Sequence, residues 1–246
     1  MILTAGQLAR FYRCGELYRM ADVDRIPYPP GTSQIVSRVV RQAIQDDMRT
    51  KQVTGAIMAT PEARANLEGI TRTHLTGETF LTEQQASTGN RRIYETVLLS
   101  AQRCYLMWRA VVSNRLTPVS LNREFSLSVG AHEITGIVEM EDPNGIRATK
   151  VRTRRPEEGE ASRDLSLAIQ AMALSASHVI VDYLIEAKEL LYVRQEFEVT
   201  PEASQAALDR VRAALEAIVL GCFVPAPAEA WWCRSCQLRP CCRYVP

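Results

Sequence analysis

The chain lacks any apolar run approaching the ~20 residues needed to cross a bilayer, which excludes a membrane-spanning helix of ordinary length. Its opening residues, Met-Ile-Leu-Thr-Ala-Gly-Gln, lack the basic-then-apolar layout of a secretory signal, so a cytoplasmic protein is the expectation. It also lacks a charge of one sign. With 29 Lys and Arg against 28 Asp and Glu, the net charge is +1. That excludes a strongly basic nucleic-acid coat, although a local basic patch fits inside such a balance. Internal repeats and low-complexity segments are absent too. What remains is ordinary globular composition, 46% hydrophobic and 23% charged over 246 residues, enough for one large core.

Cysteine is unevenly placed. Cys14 stands alone near the start, Cys104 and Cys222 sit in apolar helical patterns, and Cys233, Cys236, Cys241 and Cys242 crowd the end. In a reducing cytosol, such crowding argues for metal or cluster ligation rather than disulfides. Cys233-x-x-Cys236-x5-Cys242 places three thiolates on one short loop. A fourth ligand is either Cys14, from the far end of the chain, or Cys241, which would make the tail a zinc knuckle. Spacing does not choose between zinc and iron–sulfur, since both accept four thiolates. Cys104 and Cys222 read as small core residues.

Periodicity predicts helices over residues 4–20, 32–49 and 91–113, with Ile26-Pro-Tyr-Pro-Pro-Gly as a break after the first. Residues 50–90 are polar and weakly periodic. Strands are expected at 119–129, 133–141 and 146–153, with Asp142-Pro-Asn-Gly turning the last two. A helix over 163–177, strands at 179–185 and 190–199, and a helix opened by Thr200-Pro follow. The predicted fold class is α/β: a central mixed sheet flanked by helices. The expected organisation is one domain over 1–246, with a mainly helical part (1–115), an α/β core (116–222) and a cysteine tail (223–246). The first three strands should form a meander, with the strand near 179–185 parallel to the one at 146–153. Ile137, Val151, Leu165, Ile169 and Met172 should lie buried between sheet and helix.

These residues carry a resemblance. Arg10-Phe-Tyr-Arg-Cys14-Gly-Glu-Leu-Tyr18, with Cys233-x-x-Cys236-x5-Cys242 after Trp231-Trp232, resembles the iron–sulfur branch of RecB-type nucleases in the PD-(D/E)XK superfamily. That branch includes exonuclease V, the AddB helicase–nuclease subunit and CRISPR-adaptation nucleases. Gly136-Ile-Val-Glu139, the turn at Asn144-Gly145 and Val151-Arg152-Thr153-Arg154-Arg155-Pro156 resemble its "G-I-I-D … D-x-K-T-R-R" strands. Asp164-Leu-Ser-Leu-Ala-Ile-Gln170 resembles its following helix, "L-Q-L-x-x-Y". The resemblance touches both ends and the middle of the chain and leaves residues 50–115 uncovered. It implies a restriction-endonuclease-like core and a [4Fe–4S] cluster on Cys14, Cys233, Cys236 and Cys242, with zinc as the alternative.

It also implies metal-assisted phosphodiester hydrolysis, with two carboxylates holding Mg²⁺ or Mn²⁺ and a lysine beside the second. This sequence departs from that pattern. The first acid is Glu139, the second acidic position falls on Lys150 and the lysine position on Arg152. The helix motif's Gln and Tyr become Ser166 and Gln170, and no histidine lies near residues 31–37; the three are His74, His132 and His178. Lysine in place of a carboxylate repels Mg²⁺ where the parent pattern attracts it, so no catalytic Mg²⁺ is expected and no catalytic set is intact. The counter-reading is a migrated site, in which Glu157, Glu158, Glu160 or Asp164 joins Glu139.

Lys150, Arg152, Arg154 and Arg155 are the candidate DNA-phosphate contacts, extended by Arg147 and Arg163; such contacts give affinity without sequence information. The expected function is a non-catalytic DNA-binding or scaffolding subunit of a DNA-repair, helicase–nuclease or CRISPR-type defence complex, with protein partners and no membrane. The alternative is an active metal-dependent deoxyribonuclease with a rearranged site. A third reading, a protein–protein adaptor without DNA affinity, gains if Lys150, Arg152 and Arg154 face acidic partners.

Overall fold

Local chemistry sets most element boundaries in the computed structural model, which describes residues 1–28, 30–76, 90–234 and 236–245. A short strand β1 (Ile2–Thr4), not expected from the sequence, precedes α1 (Ala5–Arg13). Thr4 caps α1 reciprocally: its hydroxyl accepts from Gln7 N at 3.1 Å, and Gln7 Oε1 accepts from Thr4 N at 2.7 Å. The first helix does not continue to residue 20. It breaks at Cys14, which is extended (φ −169°, ψ 112°), and resumes as α2 (Gly15–Tyr18) and a π-helical turn (Arg19–Val23).

Next come α3 (Thr32–Thr54), ended by Gly55 at φ 81°, then α4 (Thr60–Thr76) and α5 (Asn90–Val111). Part of the weakly periodic stretch is thus helical, and its residues 77–89 lie outside the described residues. Strands β2 (Ser120–Val129), β3 (His132–Asp142) and β4 (Gly145–Arg152) follow, then α6 (Leu165–Leu174), β5 (His178–Glu186), β6 (Leu190–Glu198) and α7 (Pro201–Val219). Asp164 caps α6 through Ser166 N and Leu167 N, and Thr200 caps α7 through Ala203 N. The tail carries the one-turn helix α8 (Trp231–Arg234) and a 3₁₀ turn (Arg239–Cys241).

The sheet is mixed. β2, β3 and β4 form the expected meander, β4 and β5 run parallel through the α6 crossover, and β6 returns antiparallel. One face packs on α1, α6 and α7 through a core that includes Leu8, Ile169, Val181, Tyr183 and Val211. The other face packs on α3, α4 and α5 through Val40, Met48, Val97, Trp108 and Leu184. Of the residues expected between sheet and helix, Leu165 and Ile169 are buried and Met172 packs at the margin. Two differ. Val151 packs with the opposite core, because its side chain alternates away from Ala148 along β4. Ile137 is 52% exposed. Cys104 is fully buried, and burial pushes its thiol up to about 12. Cys222, expected in the core, is exposed at the end of α7.

Ile137 is exposed because of a fork in the sheet. β2 runs along one edge of β3 from His132 to Glu141, skipping only Glu139. The other edge is shared: β1 pairs with Glu133–Thr135 and β4 only with Met140–Asp142. Between them, residues 136–139 have no strand partner on that edge among the described residues. β3 and β4 therefore diverge beyond the Met140–Arg147 pair, and the gap opens a cleft.

Candidate functional site: the sheet fork and the cysteine clasp

The cleft in the fork has a volume of about 420 Å³ and is lined from four elements. β3 brings Ile137 and Glu139, and β4 brings residues 148–152. The start of α6 brings Asp164, Ser166, Leu167 and Gln170, and α3 brings Ser37 and Arg41. All five positions that the resemblance assigned to the nuclease centre, Glu139, Lys150, Arg152, Ser166 and Gln170, thus meet in one cleft, although they span 32 residues of sequence (139 to 170).

Each charged group there is already engaged. Glu139 Oε1 accepts from Arg41 Nη1 at 2.9 Å, and Oε2 accepts from the Thr149 backbone N–H at 3.2 Å. The carboxylate bridges the gap where a ladder hydrogen bond is missing, which satisfies an otherwise orphaned donor. Lys150 Nζ pairs with Asp164 Oδ2, while Asp164 Oδ1 caps α6. Arg152 pairs with Glu160. Lys150 and Arg152 also flank the Tyr183 ring at 6.0 and 5.0 Å, and burial pushes that phenol up to about 12.

The other candidate contacts lie elsewhere. β4 ends at Arg152, so Arg154 and Arg155 follow in irregular chain rather than continuing the face. Arg147 does not extend the patch. It points to the opposite side and is buried between Asp142 and Asp182. Arg163 is exposed and pairs with Glu157. Of the four acids considered for a migrated centre, only Asp164 lines the cleft. Sequence reasoning missed Arg41, whose partner Glu139 lies 98 residues away.

The second site joins the chain ends. Cys14, Cys233, Cys236 and Cys242 line one small, mainly apolar cavity with Leu17, Met20, Ala226, Trp232, Arg239 and Val245. Cys241, the alternative ligand, is exposed and does not line it. The tail reaches this point through tight turns, with Cys236 N bonded to Cys233 O at 3.1 Å and Cys242 N to Arg239 O at 3.0 Å. Cys14 Sγ accepts two backbone N–H groups, from Leu17 at 3.4 Å and Ala226 at 3.3 Å. Burial pushes the Cys236 thiol up, with Cys14, Cys233 and Cys242 adding to the rise. Among the described residues, no three His, Cys, Asp or Glu side chains gather so as to hold a single metal ion.

A clasp surrounds the cavity. Buried Glu16 receives Arg19 at 2.7 Å and Arg243 of the tail at 3.3 Å, and the hydrogen bond from Arg19 leads the causes that hold its carboxyl below the usual range. Phe223 packs on Tyr18 at 6.0 Å, and Gly15 N donates to Val224 O at 2.8 Å. A Cβ at Gly15 would stand 2.7 Å from Val224 N and 2.8 Å from Val224 O. These are backbone atoms of the 223–224 segment, which cannot swing aside as a side chain would. Gly15→Ala should therefore cost about 1–3 kcal/mol by overpacking, read as a lower denaturant midpoint, and should speed thiol-reagent labelling of Cys14. An unchanged midpoint would separate the clasp from stability.

The fold has a counterpart among solved structures. The crystal structure of a candidate exonuclease from Eubacterium rectale matches with a TM-score of 0.58 at 10% identity, covering 96% of this chain and 88% of that one. The crystal structure of SSO0001 matches with a TM-score of 0.39 at 13% identity, covering 84% and 85%. No protein family and no curated protein matches the sequence. The first likeness shows the fold, a nuclease-like arrangement of mixed sheet and helices.

Proposed function

We propose that this protein is a catalytically degenerate member of the nuclease-like fold, a DNA-binding or scaffolding subunit of a DNA-processing or defence assembly with a cluster at its cysteine clasp. The observation that carries the first part is the charge arrangement of the fork. Both oxygens of Glu139 are taken, by Arg41 and Thr149 N, and Lys150 lines the same cleft, tied to Asp164. A catalytic Mg²⁺ would have to displace these pairs. At an effective dielectric of ~20, a cation about 4 Å away opposes each unit of metal charge by roughly 4 kcal/mol. Asp164 is equally committed, as helix cap and as partner of Lys150, which disfavours the migrated centre.

The expected result is that purified protein cleaves neither single- nor double-stranded DNA in Mg²⁺ or Mn²⁺. Metal-dependent cleavage abolished by Glu139→Ala would overturn this reading and promote the rearranged deoxyribonuclease. The adaptor reading is favoured by one observation, that Lys150 and Arg152 are ion-paired. Failure of every DNA to bind would select it.

The clasp suits a [4Fe–4S] cluster by its donor set. Four thiols face one cavity, and two N–H groups point at Cys14 Sγ, as a thiolate requires. A tetrahedral zinc with Zn–S of ~2.3 Å would draw its thiolates to about 3.8 Å of one another. When bound, the cluster supplies a covalent pin between residues near the two ends of the chain.

A further inference from the structure

The two outer edges of the sheet are built differently. β2 forms one, and its ladder with β3 is interrupted where Asn122 adopts φ 54° and neither Asn122 nor Glu139 is paired. Such a break bends a strand and blunts its edge. β6 forms the other. All nine residues from Leu190 to Glu198 pair with β5 in unbroken antiparallel register, and the strand holds no proline, glycine or lysine. Among the described residues its backbone bonds only to β5, which leaves every second N–H and C=O open on the outer side. Gln195 is fixed by a neighbouring loop: Oε1 accepts from Ala161 N at 2.9 Å, and Nε2 donates to Glu157 O at 2.6 Å. Arg194 and Glu196 on either side of it are exposed, and Val193 and Phe197 are only partly covered by the core.

An edge of this length with open backbone groups takes another strand. The side chains decide which one. In an antiparallel pair of identical strands, opposed residues share a face, so the two-fold axis passes through a residue. An axis at Arg194 sets two guanidinium groups together, and one at Glu196 sets two carboxylates together. An axis at Phe197 opposes Glu196 to Glu198 of the second copy. With the axis at Gln195, each Arg194 faces a Glu196 across the interface, and each Val193 faces a Phe197 on the other side of the sheet. Only this register within the strand gives Arg194 a carboxylate without opposing like charges. The loop beside the axis carries Glu157 and Glu160, already paired with Arg163 and Arg152, which limits repulsion between the two loops. We propose that β6 is a homodimer interface: a second copy adds its own β6 antiparallel about Gln195, joining two six-stranded sheets into one. This interface does not depend on DNA binding or on the cysteine clasp.

The test is sedimentation velocity of the full chain over a series of micromolar concentrations. Wild type should pass from monomer to dimer as concentration rises. Arg194→Glu and Glu196→Arg should each raise the dissociation constant roughly 10- to 100-fold, because two attractive cross-strand pairs become two repulsive ones. An equimolar mixture of these two single variants should dimerise again, since two acids on one strand then meet two arginines on the other. The double variant carrying both changes in one chain should also recover the dimer. Both positions are exposed, so folding should survive each change, and thermal unfolding checks that it does. A dimer indifferent to either single change would place the interface elsewhere and overturn the proposal. A dimer lost in the single variants but not recovered in their mixture would overturn the register about Gln195. Wild type that stays monomeric throughout would overturn the second copy as occupant and leave the edge to a strand of another protein.

Discussion

Replacing Cys14 by alanine should bleach anaerobically purified protein and lower its unfolding free energy by about 5 kcal/mol. The four thiols that line the clasp cavity come from two places, Cys14 at the α1–α2 break and three from the tail. A group bound to all four closes a loop of roughly 220 residues, and chain-entropy arithmetic for such a loop gives this magnitude. The remaining clasp contacts do not replace it. The Arg243–Glu16 pair and the Phe223–Tyr18 contact join the same segments but are lost on unfolding, so they leave the unfolded chain unconstrained. Visible absorbance, iron content and denaturant midpoint read the result. Cys241→Ala is the control: that thiol is exposed outside the cavity, so colour and midpoint should hold. Colour retained in Cys14→Ala but lost in Cys241→Ala would mean the ligand set is wrong. Colourless wild type with stoichiometric zinc would keep the four thiols and remove the iron.

The course of the chain around Cys14 shows what a sequence hides. Residues 4–20 have helical periodicity, yet the helix breaks at Cys14 because Gly15 N and Cys14 Sγ take partners at Val224 and Ala226, more than 200 residues away. No local signal encodes that. The strands were legible because alternation and turn residues act locally, as with Asp142 Oδ1 accepting from Asn144 N at 2.8 Å before Gly145. Ile137 shows the opposite case. Apolar and in a strand, it is exposed because β1 and β4 leave that edge of β3 uncovered, a property of pairing and not of residue type. The positions of the fork were legible as a motif. Their charge state was not, because Arg41 and Glu160 are brought in by other elements.

Arg147→Ala should cost about 3–5 kcal/mol, although its neighbour on the same strand, Lys150, can be removed for less than ~1 kcal/mol. The two differ by face. Arg147 is 5% exposed and Asp182 is fully buried; Nη1 reaches Asp182 Oδ2 at 2.7 Å, while Nη2 and Nε reach Asp142 Oδ2 at 3.0 and 3.1 Å. Tyr192 completes the network by donating to Asp182 Oδ1 at 2.7 Å, and burial pushes its phenol up, with Asp182 adding to the rise. Removing the guanidinium strands two carboxylates away from water with no counter-charge, and that desolvation penalty is the cost. Arg147→Lys should recover only part, because one ammonium does not reproduce the two-pronged geometry. Adding Asp142→Asn and Asp182→Asn to Arg147→Met should regain most of the loss, since the whole charged network goes together. Lys150, with roughly a quarter of its side chain exposed, leaves behind an Asp164 that still caps α6. Denaturant unfolding of the two alanine variants decides the matter: equal midpoints would refute a buried network, and a midpoint drop confined to Arg147→Ala fits a strand with one structural face and one face open to the fork.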